Sequence, residues 1–526
     1  MLLTLRFVRP LQATLLALAG TVLPVNVQAQ NSTTPESQFP RFAQLEPTVG
    51  FWKDVFYTYS QNQIVLHASE YPAKVLRVLD LRGAAAVMSD IQFDHYRRDA
   101  EKTARAQMDA LLKSVHDKRH RPEQMTTEER RIFTLFSDVR ADDRFAIARN
   151  TLRTQRGIRE RTQVALETSQ RYLPYMEQIF ASYGLPKTLT RLPIVESSFN
   201  VDAYSRSHAA GVWQFIPTSA KHYMRLNEVV DDRRDPWTST DGAARHLRDD
   251  YALLQDWPLA VTAYNHGRYG IQRGIAAING RTLMDLINRG NHPRWGFAGK
   301  NYYAEFLAAV DIERQWRQQQ AADSALPPLK FEVVETRDYL PYTTLQRLSG
   351  GDETLFRKLN PAYLPEVING RLYVPPGHMI RVPAGHARNF QVAYNQLGSN
   401  ERFSRQRQFY TLHTVRKGES LGLIAKRNGT TIAALQHSNG IKGSVVRIGQ
   451  VLKIPPRGVT VTPAVQVARN APAKPAFRQH RVQRGQTLSS IATRYDVSLT
   501  ELRTANGLGH GNLIKVGQTL RVPARN

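Results

Sequence analysis

The sequence predicts a multidomain protein, a mainly α central domain followed by small α+β modules of βααβ order. Three observations predict it. At 526 residues the chain is too long for one hydrophobic core. The segment from Thr168 to Gln320 reads as helical throughout, with apolar residues recurring at helical spacing. The C-terminal part holds an internal repeat whose copies open and close on short alternating runs.

Composition narrows the class. An apolar fraction of 41%, with 20 Phe, 6 Trp and 21 Tyr, excludes wholesale disorder. No cysteine is present, which removes disulfides, thiolate metal sites, cysteine nucleophiles and a lipidated cysteine. The 15 histidines show no HExxH-type spacing, so neither a metal nor a cofactor is expected. The net charge of +26 is uneven: residues 385–526 carry 22 Lys and Arg against 4 Asp and Glu. Such an excess attracts polyanions through counterion release. Nucleic acid is set aside, because the chain opens like an exported protein and shows no recognition-helix or RNA-binding motif.

The elements follow in order. Arg6 and Arg9, an apolar stretch from Leu11 to Leu23, and Val27-Gln28-Ala29 form the layout of a secretion signal, with cleavage expected after residue 29. A retained signal would tie the protein to the membrane. An exported protein without disulfides points to a bacterial envelope and its periplasm. Residues 30–167 form a mixed, mostly helical region with one strand-like piece, Ile64-Val65-Leu66. In the helical region 168–320, Thr240 or Asp241 is placed to cap a helix with the apolar face Ala243, Leu247, Tyr251, Leu254. A second helix, Leu259 to Tyr264, stops at Asn265-His266-Gly267.

In the tail, His413-Thr414-Val415-Arg416-Lys417-Gly418-Glu419-Ser420-Leu421 aligns with His480-Arg481-Val482-Gln483-Arg484-Gly485-Gln486-Thr487-Leu488. Asn439-Gly440 matches Asn506-Gly507, and both copies close alike, at Ile448 to Pro455 and Val516 to Pro523. These modules span 409–456 and 480–524, joined by a Pro- and Ala-rich linker, 457–479. Residues 331–384 end on a similar closing strand and read as a degenerate third copy, followed by a Gln- and Arg-rich linker, 385–408.

The chemistry centres on Glu196, in Arg191-Leu192-Pro193-Ile194-Val195-Glu196-Ser197-Ser198. Its apolar neighbours raise a carboxyl pKa toward that of a general acid, and Ser197 and Ser205 are placed to orient it. The Trp213-Gln214-Phe215 cluster offers a stacking face and an amide suited to sugars. Taken singly, each has a plainer reading: Glu196 a solvated helix end, Trp213 and Phe215 core, Tyr264-Asn265 another helix end. Asp231, Asp232 and Asp235, with Arg233 and Arg234, read as a structural salt-bridge loop.

Taken together, Glu196-Ser197-Ser198-Phe199-Asn200, Ala209 to Pro217, Asp231 to Pro236 and Ala263 to Gly267 resemble the lytic transglycosylase (SLT) branch of the lysozyme superfamily, goose-lysozyme-like in fold. The repeats resemble LysM modules, which bind N-acetylglucosamine-containing glycans. The resemblance implies a lysozyme-like catalytic domain that cleaves the MurNAc–GlcNAc bond of peptidoglycan strands, its partner, and leaves anhydromuramyl ends. It implies Glu196 as the single catalytic acid, with Ser205, Gln214, Tyr264, Asn265 and Tyr302 lining the sugar sites. In the modules it implies a groove between Gly418, Glu419, Ser420 and Asn439, Gly440, and between Gly485, Gln486, Thr487 and Asn506, Gly507. The chain departs from the family at His208, often glycine, at Ala298-Gly299, where an acidic residue is usual, and at Ile216, often Met. Two other readings stay open: a hydrolytic muramidase whose base would come from the Asp231–Asp235 loop, and an inactive wall-binding scaffold.

Overall fold

A three-stranded antiparallel sheet opens the fold, with β1 (Gln63–Ala68) between β2 (Arg77–Asp80) and β3 (Leu152–Arg156). The computed structural model describes residues 38–523 except 321–325, 456–476, 293, 408–409, 442, 484–485 and scattered positions between 496 and 516. The signal segment and most of the linker 457–479 lie outside the described residues. Among the described residues no helix is long and apolar enough to cross a membrane. The chain divides into two compact units, the second comprising residues 461–526.

Val65 pairs with Val78 on one side of β1 and with Gln155 on the other. The expected strand piece is therefore the centre of a sheet whose outer strands lie at wide sequence separation. α2 (Asp90–Asp117) crosses nearby, opened by a Ser89–Gln92 capping box. It buries Ala104, Met108, Leu112 and Val115, one stripe at helical spacing.

The first residues of the described chain belong to the central domain. α1 (Glu46–Lys53) packs on the long helix α8 (Phe297–Gln319), where the Trp52 indole N–H donates to Asn301 Oδ1 at 3.0 Å. The Tyr303 hydroxyl donates to the Pro40 carbonyl, and the Phe39 ring meets Phe306 edge-on. Between them in sequence lie α3 (Leu173–Ser182), α4 (Leu192–Ser197), α5 (Pro236–Leu254), α6 (Trp257–His266) and α7 (Arg268–Ala277). α5 starts earlier than the expected Thr240 or Asp241 cap. Asp235 caps it, accepting from the Trp237 and Thr238 N–H groups with Pro236 at the first helical position. The Thr240 hydroxyl instead donates back to the Pro236 carbonyl, one turn inside the helix.

Residues 331–383 form an antiparallel pair, β4 (Phe331–Val334) and β5 (Ile380–Pro383), around helices Tyr342–Leu348, Glu353–Leu359 and Pro365–Ile368. This module is docked on the central domain. Val229 and Val230 enter its core, and the Asp231 N–H donates to the Ala362 carbonyl at 2.9 Å. Buried Arg381 donates from Nη1 and Nη2 to Asp235 and lies over the Trp237 ring, 4.5 Å from its centre. The segment 385–408, expected to be a linker, is folded. α9 (Ala387–Asn395) buries Phe390 and Tyr394 against the module, and Tyr373 stacks on Phe403 at 4.4 Å. Two aromatic anchors outweigh the polar composition that suggested a linker.

The first repeat has β6 (Thr411–Thr414) antiparallel to β7 (Val451–Ile454), with α10 (Leu421–Asn428) and α11 (Ile432–Asn439) between them. In the second unit, β8 (Phe477–Arg481) pairs with β9 (Thr519–Pro523) over a core that includes Leu488, Ile491 and Leu520.

Candidate active site

α4 carries Glu196 and stops just beyond it, because Ser198 and Phe199 both adopt left-handed backbone, each at φ 52°. Phe199 is a bulky, buried residue in a conformation that side chains avoid, so surrounding packing holds it there. Leu192 and Ile194 bury the other face of this short helix. Glu196 is walled by protein yet keeps partial access to solvent. Burial pushes its carboxyl up to about 7, although a hydrogen bond from the Tyr302 hydroxyl favours the ionised form. Tyr302 reaches it from α8 and is itself buried, its phenol raised by burial and by the Glu196 charge.

Tyr264, near the end of α6, donates its hydroxyl to the Trp213 carbonyl at 2.8 Å. Burial raises its phenol and the Glu196 charge raises it further, so the two groups share one field. Asn265 follows on the exposed end of the helix. Gln214 takes left-handed backbone at φ 48°, and its amide donates to the Gly211 carbonyl at 2.8 Å. The Trp213 ring is fully buried, stacked on Phe180, with its N–H given to Thr240. It is core, and not the stacking face expected for sugar. The serines are not partners of Glu196 either. Ser197 donates to the Val212 carbonyl at 2.8 Å, and the Ser205 hydroxyl accepts from the Ala209 N–H at 3.0 Å.

The acidic loop supports the site from behind. Arg233 pairs with Asp231 through Nε and Nη2 and donates to the carbonyls of His208 and Phe215. Asp232 pairs with Arg225, and Asp235 with Arg381. Every carboxylate of the loop therefore has a structural cation. Gly211, at φ +74°, lets the Ala209–Phe215 turn close on this loop, since a Cβ there would lie 1.8 Å from the Arg233 carbonyl oxygen. His208 sits at φ 63°, which accounts for the glycine common at that position in the resembling family.

One carboxyl was not anticipated. Glu305 lies three residues after Tyr302 on α8, so both leave the helix on neighbouring positions of one side. No cation or hydrogen-bond donor meets it among the described residues. Burial and the Glu196 charge push it up to about 8. The sequence signal was present in the spacing from Tyr302, but only the packing of α8 shows which side faces Glu196.

In the repeats, the residues expected to bind glycan are built into the modules. The Glu419 carboxylate takes the Arg416 N–H, His413 and Arg427. Ser420 caps α10 and Gly440 ends α11 in the left-handed conformation. Asn439 locks α11 to β7 through both the N–H and the carbonyl of Lys453. In the second copy Asn506 does the same with Arg521, Gln486 bonds His480, and Thr487 accepts from the Ser490 N–H. Gly418 stands at φ +86° with open space around it, while Gly485 and Gly507 lie outside the described residues.

A partly enclosed glutamate beneath a tyrosine defines the acid centre of this helical domain. Residues 177–281 match the transglycosylase SLT domain, and residues 413–455 and 480–523 match the LysM domain. These matches, with the relative named next, support lytic transglycosylase activity on peptidoglycan by a chain that carries LysM repeats. It is similar to membrane-bound lytic murein transglycosylase D of Escherichia coli K12, 27% identical over 350 residues, 63% of this chain and 73% of the relative. A putative tributyltin chloride resistance protein of Alteromonas sp. M-1 is 33% identical over 125 residues, 23% of this chain and 60% of its own. A probable autolysin, SsaALP of Staphylococcus aureus, is 36% identical over 113 residues, 22% of this chain and 40% of its own.

Proposed function

We propose that Glu196 works as acid and then as base in a non-hydrolytic cleavage of the MurNAc–GlcNAc bond. Its proton goes to the glycosidic oxygen, which leaves with the GlcNAc residue as the bond to the muramyl anomeric carbon breaks. The Glu196 carboxylate then takes the proton of the muramyl 6-hydroxyl, whose oxygen closes on the anomeric carbon. No water is consumed, and the new end is a 1,6-anhydromuramyl group. The carrying observation is the carboxyl pushed up to about 7, which keeps a proton to give at neutral pH. Intramolecular attack gains from effective molarity and needs no second carboxylate. Ser205, Gln214, Tyr264, Asn265 and Tyr302 border the sugars in this reading.

Glu305 raises a second reading, hydrolysis: it stands one turn from Tyr302 on α8 and, only in its ionised form, would activate water or act as nucleophile. The Asp231–Asp235 loop does not serve that role, because its carboxylates are held by Arg233, Arg225 and Arg381. Mass analysis of muropeptides from digested sacculi separates the two. Anhydro ends support transglycosylation, and reducing ends heavier by one water would overturn it. With peptidoglycan as substrate, we read the enzyme as one exported to the bacterial cell envelope and its periplasm. Residues 331–384 we read as a third LysM-like module, one that is part of the enzyme body.

A further inference from the structure

Just past Tyr264 and Asn265, the chain turns from α6 into α7 at Gly267, φ +86°, and forms one wall of a cavity of about 490 Å³. His266, Arg268, Tyr269, Arg273, His292 and Arg294 line it, and among the described residues no acidic one does. The cations are unequal. Arg268 is already neutralised inside the domain, with Nε 2.7 Å from Asp250 and a hydrogen bond to the Tyr223 hydroxyl. Arg273 and Arg294 are exposed, and among the described residues no carboxylate pairs with either. His266 is held edge-on against Trp295, where burial and the neighbouring His292 and Arg294 disfavour its charged form. The charges of Arg273 and Arg294 therefore meet in a concavity without a carboxylate partner among the described residues, next in sequence to Tyr264 and Asn265.

The glycan backbone of peptidoglycan carries no charge for such a cavity to read. Its charge lies on the peptide stems, which hang from the lactyl group of each muramyl residue and carry free carboxylates. We propose that this cavity is a stem-peptide subsite, in which Arg273 and Arg294 receive carboxylates of the stem on a muramyl residue held in the cleft. Tyr269, 62% exposed, offers an apolar face for the stem between those charges. The proposal rests on the lytic transglycosylase reading and adds a preference to it: stem-bearing strands over denuded ones.

The test compares the full-length protein with the Arg273→Gln/Arg294→Gln double variant on two soluble substrates. One is glycan strands with intact stems, the other the same strands stripped by an amidase. Wild type should favour stem-bearing strands by about tenfold in kcat/KM at low salt, the product of two partly exposed ion pairs each worth a few-fold. Salt should erode that preference, and the double variant should lack it while cleaving denuded strands at the wild-type rate. An unchanged preference in the variant, or an equal loss on both substrates, overturns the proposal. A third arm uses vesicles of phosphatidylglycerol. Loss of vesicle binding without any change in stem preference would assign the cavity to an anionic lipid surface and also overturn it. Failure of the underlying reading would look different, as wild type giving reducing ends or no cleavage of either strand.

Discussion

The Tyr302 hydroxyl donates to the Glu196 carboxylate across 106 residues of sequence, tying the end of a six-residue helix to a 23-residue one. α4 is too short to fix the Glu196 side chain, so α8 supplies the constraint. The same bond opposes the effect of burial on the acid, and it is the point at which the two helices set the proton affinity of the site.

Replacing Glu196 by Gln removes the proton donor and acceptor at nearly constant volume. Turnover of soluble strands should fall by at least about 10²-fold, the lower end of what general acid–base catalysis supplies. Circular dichroism and thermal melting should remain those of wild type. A variant with more than a tenth of the original rate would show that the proton comes from elsewhere.

Tyr302→Phe removes a bond that favours ionised Glu196, so the carboxyl should rise further above about 7. The acid must be protonated to act, and activity therefore declines as pH rises through its pKa. In the variant that alkaline decline should move to higher pH in a kcat/KM profile. A decline at the same pH, or at a lower one, would mean that this bond does not tune the acid.

Glu196 and Glu305 both have folded-state pKa values above their ordinary 4.5, about 7 and about 8. Groups raised on folding contribute stability that is complete below the unfolded pKa and is lost as pH rises through the folded one. Melting temperature should therefore fall between pH 5 and pH 9. Glu305→Gln should flatten the upper part of that fall, leaving the parts due to Glu196 and to Asp250, which burial raises to about 7. An undiminished slope in the variant would contradict the enclosed, unpaired placement of Glu305.

Deleting residues 409–526 should leave cleavage of short soluble strands near wild type and weaken binding to whole sacculi. Repeats tethered to the enzyme raise local substrate concentration without altering the chemistry. Co-sedimentation and turnover, measured together, decide it: an equal loss on soluble and insoluble substrate would mean that the repeats help to form the catalytic site.

Much of this was legible in local patterns. Glu196 stands out because a carboxylate ends an apolar helical run, and the repeats because Gly418 and Asn439 recur at Gly485 and Asn506. What local patterns hid was set by distant partners. β2 and β3 carry little strand signal of their own and form because β1 pairs with both. α9 looked like a linker because Phe390 and Tyr394 are diluted among polar residues. The start of α5 was readable, with Asp235 before Pro236, yet Thr240 offered a competing cap. Asn439, expected at a ligand, also fastens α11 to β7, and Asn506 repeats that role in the second copy.

The buried pair between Arg381 and Asp235 bears on how such a gene can be cut and rejoined. Asp235 both caps α5 and neutralises Arg381, so removing residues 331–384 would strand its charge at the start of the helix behind the active site. The repeat at 480–523 lies in a compact unit of its own. The 331–384 module does not: excising it would break a buried ion pair with the catalytic domain.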